Sequence, residues 1–146
     1  MSDRNKAVAR RHIEEVWNKG NLSSMEETHA ESYMHHDPHD PWKRNHGPGP
    51  DAVKTLVHFY RNAFPDIRIT IDEMIAEGDV VVARFSSHAT HKHEFGNIQP
   101  THKAIKLTGV FWWRFLDGKI VEGRSYYDAH GFLRQLGAVP EMAALL

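Results

Sequence analysis

The sequence contains no cysteine, which excludes disulfides, thiol nucleophiles and thiolate metal sites. Charge of one sign is equally scarce: 18 Lys and Arg stand against 19 Asp and Glu, for a formal net charge of −1. Without a basic excess there is no electrostatic footprint for nucleic acid. Long apolar runs are missing as well. The opening MSDRNKAVARRHIEEVW lacks the apolar core of an export signal, and no stretch approaches a membrane span. These absences lead us to expect a cytoplasmic protein that engages neither nucleic acid nor membrane.

What remains is enough for a single domain over residues 1–146. With 40% hydrophobic residues, a chain of this length buries about two-thirds of its unfolded surface. Twelve histidines are the compositional oddity, since their charge responds between about pH 5 and 8.

Hydrophobic spacing organises the chain. Ala9, Ile13, Val16 and Trp17 fall on one helical face, with Gly20 as a stop. Ser23 and Glu26 have the spacing of a capping box, which predicts a short second helix to about His29. Residues 35–50 carry four of the seven prolines and read as a loop or a broken strand. A third helix is predicted from Pro50 to Pro65, with Val53, Leu56, Val57, Tyr60 and Phe64 as its apolar stripe. The period then changes from 3.6 to 2. Ile67, Ile69 and Ile71 alternate, Gly78 turns the chain into VVVARFSSHATHKHEF, and KAIKLTGVFWWRFL and IVEGRSYYD complete a hairpin across DGK. A final short helix is N-capped by Asp128 and stopped at Gly137. This order predicts an α+β fold, a cone of helices packed on a curved antiparallel sheet.

The stretch YMHHDPHDPW, residues 33–42, holds three histidines and two aspartates within six positions. A metal site needs three or four ligands held in fixed geometry. No helical H-x-x-x-H frames His36, Asp37 and His39, and Pro38 and Pro41 interrupt regular structure, so a metal is disfavoured. The stretch reads instead as a solvated loop, or as one or two histidines lining a pocket. Parity with Tyr33 points His35 inward. In HATHKH, His91 and His93 share a strand face but His88 and His91 do not, which argues against a three-histidine site and leaves His91 as a pocket candidate.

Parity in the last hairpin sets one face as Gly109, Phe111, Trp113 and Phe115 opposite Gly123, Ser125 and Tyr127. A face that grades from bulky to small leaves room for a small molecule. Trp17, Tyr33 and Tyr60 are expected to complete the pocket wall. On the other face, Trp112, Val110 and Tyr126 form an apolar patch suited to self-association, so a homodimer is expected.

EEVWNKGN, YMHHDP, GPDAVKTLVHFYRNAFPDIRITIDEMIAEGDVVVARF, THKHEFGNIQPTHK and DGKIVEGRSYYDAHGFLRQLG resemble the SnoaL-like polyketide cyclases, a branch of the nuclear-transport-factor-like cone folds. The resemblance spans roughly residues 6–137. It implies a cofactor-free oligomer closing rings by aldol chemistry in an apolar cone. It also implies that the usual catalytic aspartate position is occupied by Ser125, and that of its partner histidine by Phe111. His35 matches a polar pocket residue of the family and His91 the histidine of the second strand. With the usual acid–base pair replaced, His35, His91 and Tyr127 are the candidate catalytic groups, and Asp128 a lesser one. The expected function is binding of a small hydrophobic, ring-like molecule, with cyclase, isomerase or hydratase chemistry and no cofactor or metal. The alternative is a non-catalytic carrier or sensor on the same fold.

Overall fold

The computed structural model describes residues 2–39 and 48–146; Asp40 and Pro41 of the histidine-rich stretch lie outside them. Helix α1 (Ser2–Arg11) runs into a π-helical segment, His12–Asn18. His12, Ile13, Val16 and Trp17 of this segment are all buried. His12 also stands three residues after Ala9 and four before Val16, so helical spacing alone sets it on the buried face. Gly20, at φ 75°, ends the segment.

The expected capping box is not formed. Ser23 Oγ donates to Asn21 Oδ1 instead, and a 3₁₀ turn (Leu22–Ser24) leads into the four-residue α2 (Met25–Thr28). Strand β1 (His29–His36) follows at once. Helix α3 (Asp51–Ala63) presents Val53, Leu56, Val57 and Tyr60 to the core. Then come β2 (Arg68–Glu77), β3 (Val80–Thr90), β4 (Ala104–Leu116) and β5 (Lys119–Tyr127). Helix α4 (Ala129–Gln135) is capped by Asp128 as expected, its Oδ1 accepting from Gly131 N at 3.0 Å. A short α5 (Met142–Leu145) closes the chain.

The sheet order is β1-β5-β4-β3-β2. Expected to be wholly antiparallel, it is mixed: β1 runs parallel to β5. The long α3 segment and three further strands intervene between them, which permits the parallel pairing that a tight turn forbids. Two bulges reset side-chain parity. Asp72 is the extra residue in β2, so Ile71 faces Phe85 while Ile75, one register later, is 62% exposed. Val121 is the extra residue in β5, so Ile120, not Val121, pairs with Phe115 and is fully buried. Beyond the bulge the pairing joins odd to odd as expected, Phe111 with Ser125 and Gly109 with Tyr127.

The free edge of β2 is covered from the helical side. Asn18 uses its amide on both backbone groups of Ile69, accepting from N at 2.6 Å and donating to O at 3.0 Å. That satisfies an edge that would otherwise offer itself to another strand. It also sets the helix carrying Trp17 against the sheet.

Candidate active site

The sheet and α3 enclose an apolar cavity of about 50 Å³. Its sheet wall comes from inward-facing residues: Phe85 and Ser87 on β3, Leu107 and Phe111 on β4, Ser125 and Tyr127 on β5. Trp17, Leu56 and Tyr60 close the helical side, with Ile67 and Ile69 at the β2 end. Stacked rings stiffen the wall. Phe85 lies on Phe111 (4.5 Å between centroids) and Phe111 on Trp113 (5.3 Å), while Trp17 tilts against Phe111 at 6.5 Å.

Polar groups gather at one end. Asp37, just past the end of β1, lines the cavity and accepts from His39 N through Oδ1 at 2.8 Å. The hydroxyls of Tyr60 and Tyr127 bond one another at 2.7 Å. A second cavity, about 290 Å³, lies beyond this pair and is lined by His39, Phe95, Phe132 and the same two tyrosines. The tyrosine pair thus stands between an inner and an outer chamber. His39 packs on Tyr127, ring centroids 4.3 Å apart, and its Nε2 accepts from Tyr127 N at 3.4 Å. Burial pushes the Tyr127 phenol up to about 12, the Tyr60 hydroxyl counteracting and the Asp37 charge adding to the rise. Tyr127 therefore stays a proton donor across the physiological range.

Of the residues expected at the site, Trp17, Tyr60, Phe111, Ser125 and Tyr127 line the inner cavity. Four residues of the expected wall, Gly109, Gly123, Tyr33 and Trp113, do not. Gly109 and Gly123 leave no space, because rings fill it. A Cβ on Gly109 would lie 2.7 Å from the Phe85 ring, and one on Gly123 would lie 2.1 Å from the Tyr33 hydroxyl. Tyr33 is consumed in that packing, and Trp113 sits behind Phe111, edge-on to His12.

The histidine candidates also fall elsewhere. His91 is fully buried against Phe64, at 5.2 Å, and lines neither chamber. Its Nδ1 accepts from Thr101 N at 3.1 Å, which fixes the proton on Nε2, a sealed atom with no partner. Burial lowers its pKa. That ring pins the 91–103 loop. His35 accompanies Tyr33, whose hydroxyl meets its Nδ1 at 2.9 Å, and lines neither chamber. Asp128 is spent on its cap.

His35 belongs to a second polar cluster, a column of His12, His29, Tyr33 and His35 buried beneath β1. His12 meets His29 edge-on at 4.8 Å, and His29 meets Tyr33 at 4.6 Å. Burial pushes His12 down to about 4. Burial, with the neighbouring His12, His35 and Lys54 charges, pushes His29 down to about 2. Among the described residues no group of three His, Asp or Glu converges as metal ligands would, and no helix is long and apolar enough to cross a membrane.

Sequence reasoning missed Asp37 as a cavity carboxylate and Ser87 as a wall hydroxyl. Ser87 was accessible: VARFSSHAT alternates Ala83, Phe85 and Ser87 onto one face, and all three are buried. Asp37 had no such signal, because its direction is set by a turn beyond the strand.

Helices laid on a curved, mixed five-stranded sheet, with an apolar cavity between the layers, define the α+β class of the nuclear-transport-factor-like proteins. Within that class the chain belongs to the SnoaL-like polyketide cyclase family, whose model matches residues 7–136. It is 31% identical, over 125 residues, to the nogalonic acid methyl ester cyclase of Streptomyces nogalater, covering 84% of this chain and 90% of that one. Among solved structures, AclR from Streptomyces galilaeus is 30% identical with a TM-score of 0.80, covering 96% of this chain and 99% of AclR. A protein of Acidithiobacillus ferrooxidans classed with the polyketide cyclases is 30% identical with a TM-score of 0.83, over 94% and 96% of the two chains.

Proposed function

We propose that this protein binds a small, largely apolar, ring-like molecule in the two chambers and turns it over by cofactor-free acid–base chemistry of the cyclase or isomerase kind. The observation that carries this reading is the meeting of one carboxylate, Asp37, with two phenolic hydroxyls, Tyr60 and Tyr127, at one end of an apolar cavity. The inner chamber alone is smaller than a ring requires. Joined to the outer one, it reaches the lower end of the range usual for ligand sites, roughly 300–1,000 Å³.

Aldol ring closure needs a base to take a proton α to a carbonyl and an acid to protonate the forming alkoxide. Phe111 and Ser125, paired across β4 and β5, supply neither. In this reading Asp37 removes the α-proton, and the carbanion's electrons form the new bond to the acceptor carbonyl carbon. Tyr127, held protonated by burial, then donates to the alkoxide. Positioned groups of this kind contribute roughly a hundred- to ten-thousand-fold each. The carboxylate has in effect moved from β5 to the end of β1.

The test is turnover of aromatic polyketide esters, beginning with the substrate named for the Streptomyces nogalater relative. Asp37→Asn and Tyr127→Phe are expected to lose turnover while retaining binding, and His91→Ala to retain turnover if folded. Tight binding of such esters without turnover would support the carrier reading, which the Phe111 and Ser125 replacements favour.

We further propose a cytoplasmic homodimer formed through the outer sheet face. There Trp112 is held between Arg114 and Arg124, at 5.1 and 5.5 Å, beside the 46% exposed Tyr126. Trp112→Asp should shift the protein towards monomer in sedimentation. A native monomer at micromolar concentration would contradict the assignment of this face.

A further inference from the structure

Tyr60 and Tyr127 reach the site from opposite layers, one on α3 and the other at the end of β5. Their hydroxyls meet at 2.7 Å, and both residues line both chambers. A hydroxyl pair holds two protons, but only one of them lies between the oxygens. In the resting pair either tyrosine can be that donor. The acid–base chemistry removes the choice. Once Tyr127 has delivered its proton, its phenolate oxygen can only accept, and the bond between the two oxygens must come from Tyr60.

A phenolate at this place has little other support. The rings of His39, Tyr60 and Phe132 surround Tyr127. Among the described residues no Lys or Arg lines either chamber, and the one carboxylate there, Asp37, repels a second negative charge. Burial raises the Tyr127 phenol most, the Tyr60 hydroxyl acts against that rise and the Asp37 charge adds to it. A hydrogen bond to an ionised oxygen is stronger than one between neutral groups. The Tyr60 bond therefore tightens as the proton leaves Tyr127. An interaction that strengthens during the reaction contributes to its rate and not to ligand binding.

We propose that Tyr60 is a positioning residue for proton delivery, its hydroxyl donating to the Tyr127 oxygen as that oxygen gives up its proton to the ligand. This rests on the acid–base reading above. The α-proton goes to Asp37, the carbanion's electron pair forms the carbon–carbon bond, and the alkoxide takes the Tyr127 proton. The negative charge thereby passes from Asp37 to Tyr127, and it returns when the proton on Asp37 passes to the phenolate. Tyr60 keeps its own proton throughout.

Two measurements test this. In the first, a trifluorotyrosine, whose phenol is more acidic, replaces Tyr127, and fluorine NMR follows its ionisation with and without Tyr60→Phe. Loss of the Tyr60 hydroxyl should raise the midpoint by about one pH unit. A midpoint that is unmoved or lowered overturns the inference, whatever the activity. In the second, turnover is measured with nogalonic acid methyl ester as the probe. Tyr60→Phe should lower kcat by at least ~tenfold, with KM within about threefold of wild type. An unchanged kcat overturns the role of Tyr60 and leaves the acid–base reading standing, provided Tyr127→Phe is inactive. A Tyr127→Phe protein with native kcat, or wild type without turnover, overturns that reading and the role of Tyr60 with it, even where the midpoint moves as expected.

Discussion

Two buried polar regions lie within this small fold, and they differ in one respect that matters. Among the described residues, the column of His12, His29, Tyr33 and His35 beneath β1 contains the most displaced histidines, yet its rings are packed edge to edge and fill their own space. The cluster of Asp37, Tyr60, Tyr127, Ser87 and Ser125 surrounds a cavity. Perturbed titration is a common guide to functional sites. Here the larger perturbations mark a packed core, and the smaller set marks the open space proposed as the ligand site. Space adjoining the polar atoms separates the two cases.

The sharpest way to break this comparison is to disable one region and read the activity of the whole. Asp37→Asn should lower turnover by roughly a hundred- to ten-thousand-fold with little change in stability. An equal loss from a folded His12 variant would move the chemistry into the column.

Acid provides the next largest effect, acting on the column and, in the same direction, on the buried His91. His12 and His29 are neutral in the folded chain, with values pushed down to about 4 and about 2. The unfolded chain takes up those protons near pH 6.5. Below that pH the unfolded state binds more protons than the folded one, so the stabilisation present at neutral pH is lost as pH falls. The loss should be about 2 kcal/mol per histidine at pH 5, measurable by urea unfolding between pH 5 and 8. His12→Leu should remove about half of that dependence.

Smaller effects sharpen the contrast between filled and open space. Gly123→Ala and Gly109→Ala should each destabilise by about 1–3 kcal/mol by overpacking. The new methyl meets the Tyr33 hydroxyl in the first and the Tyr126 carbonyl and Phe85 ring in the second. Gly109→Ala is expected to cost more, since backbone cannot swing aside. Thermal unfolding of both variants checks the order.

Much of this was legible in the sequence, for identifiable reasons. Alternation is a strong signal on long strands, so the faces of β3, β4 and β5 carrying Phe111, Ser125 and Tyr127 could be read directly. Asp128 before AHGFLRQLG announced its cap. Bulges at Asp72 and Val121 carry no local residue signature, so the parity changes that expose Ile75 and bury Ile120 were hidden. The parallel pairing of β1 depends on packing between distant segments. Gly109 and Gly123 were read as empty space because the rings that fill them, Phe85 and Tyr33, come from other strands. Asp37 was in view from the start within HHDPH, but only the turn after β1 directs it into the cavity.

The cavity, and not the histidine column, is the proposed ligand site. Its most direct test is a two-dimensional amide NMR titration of the intact protein with cyclohexanone. Shifts should concentrate at Asp37, Ser87, Phe111, Ser125 and Tyr127, with His12 and His29 unmoved. Shifts centred on His12, His29 and His35, with the cavity residues silent, would contradict it.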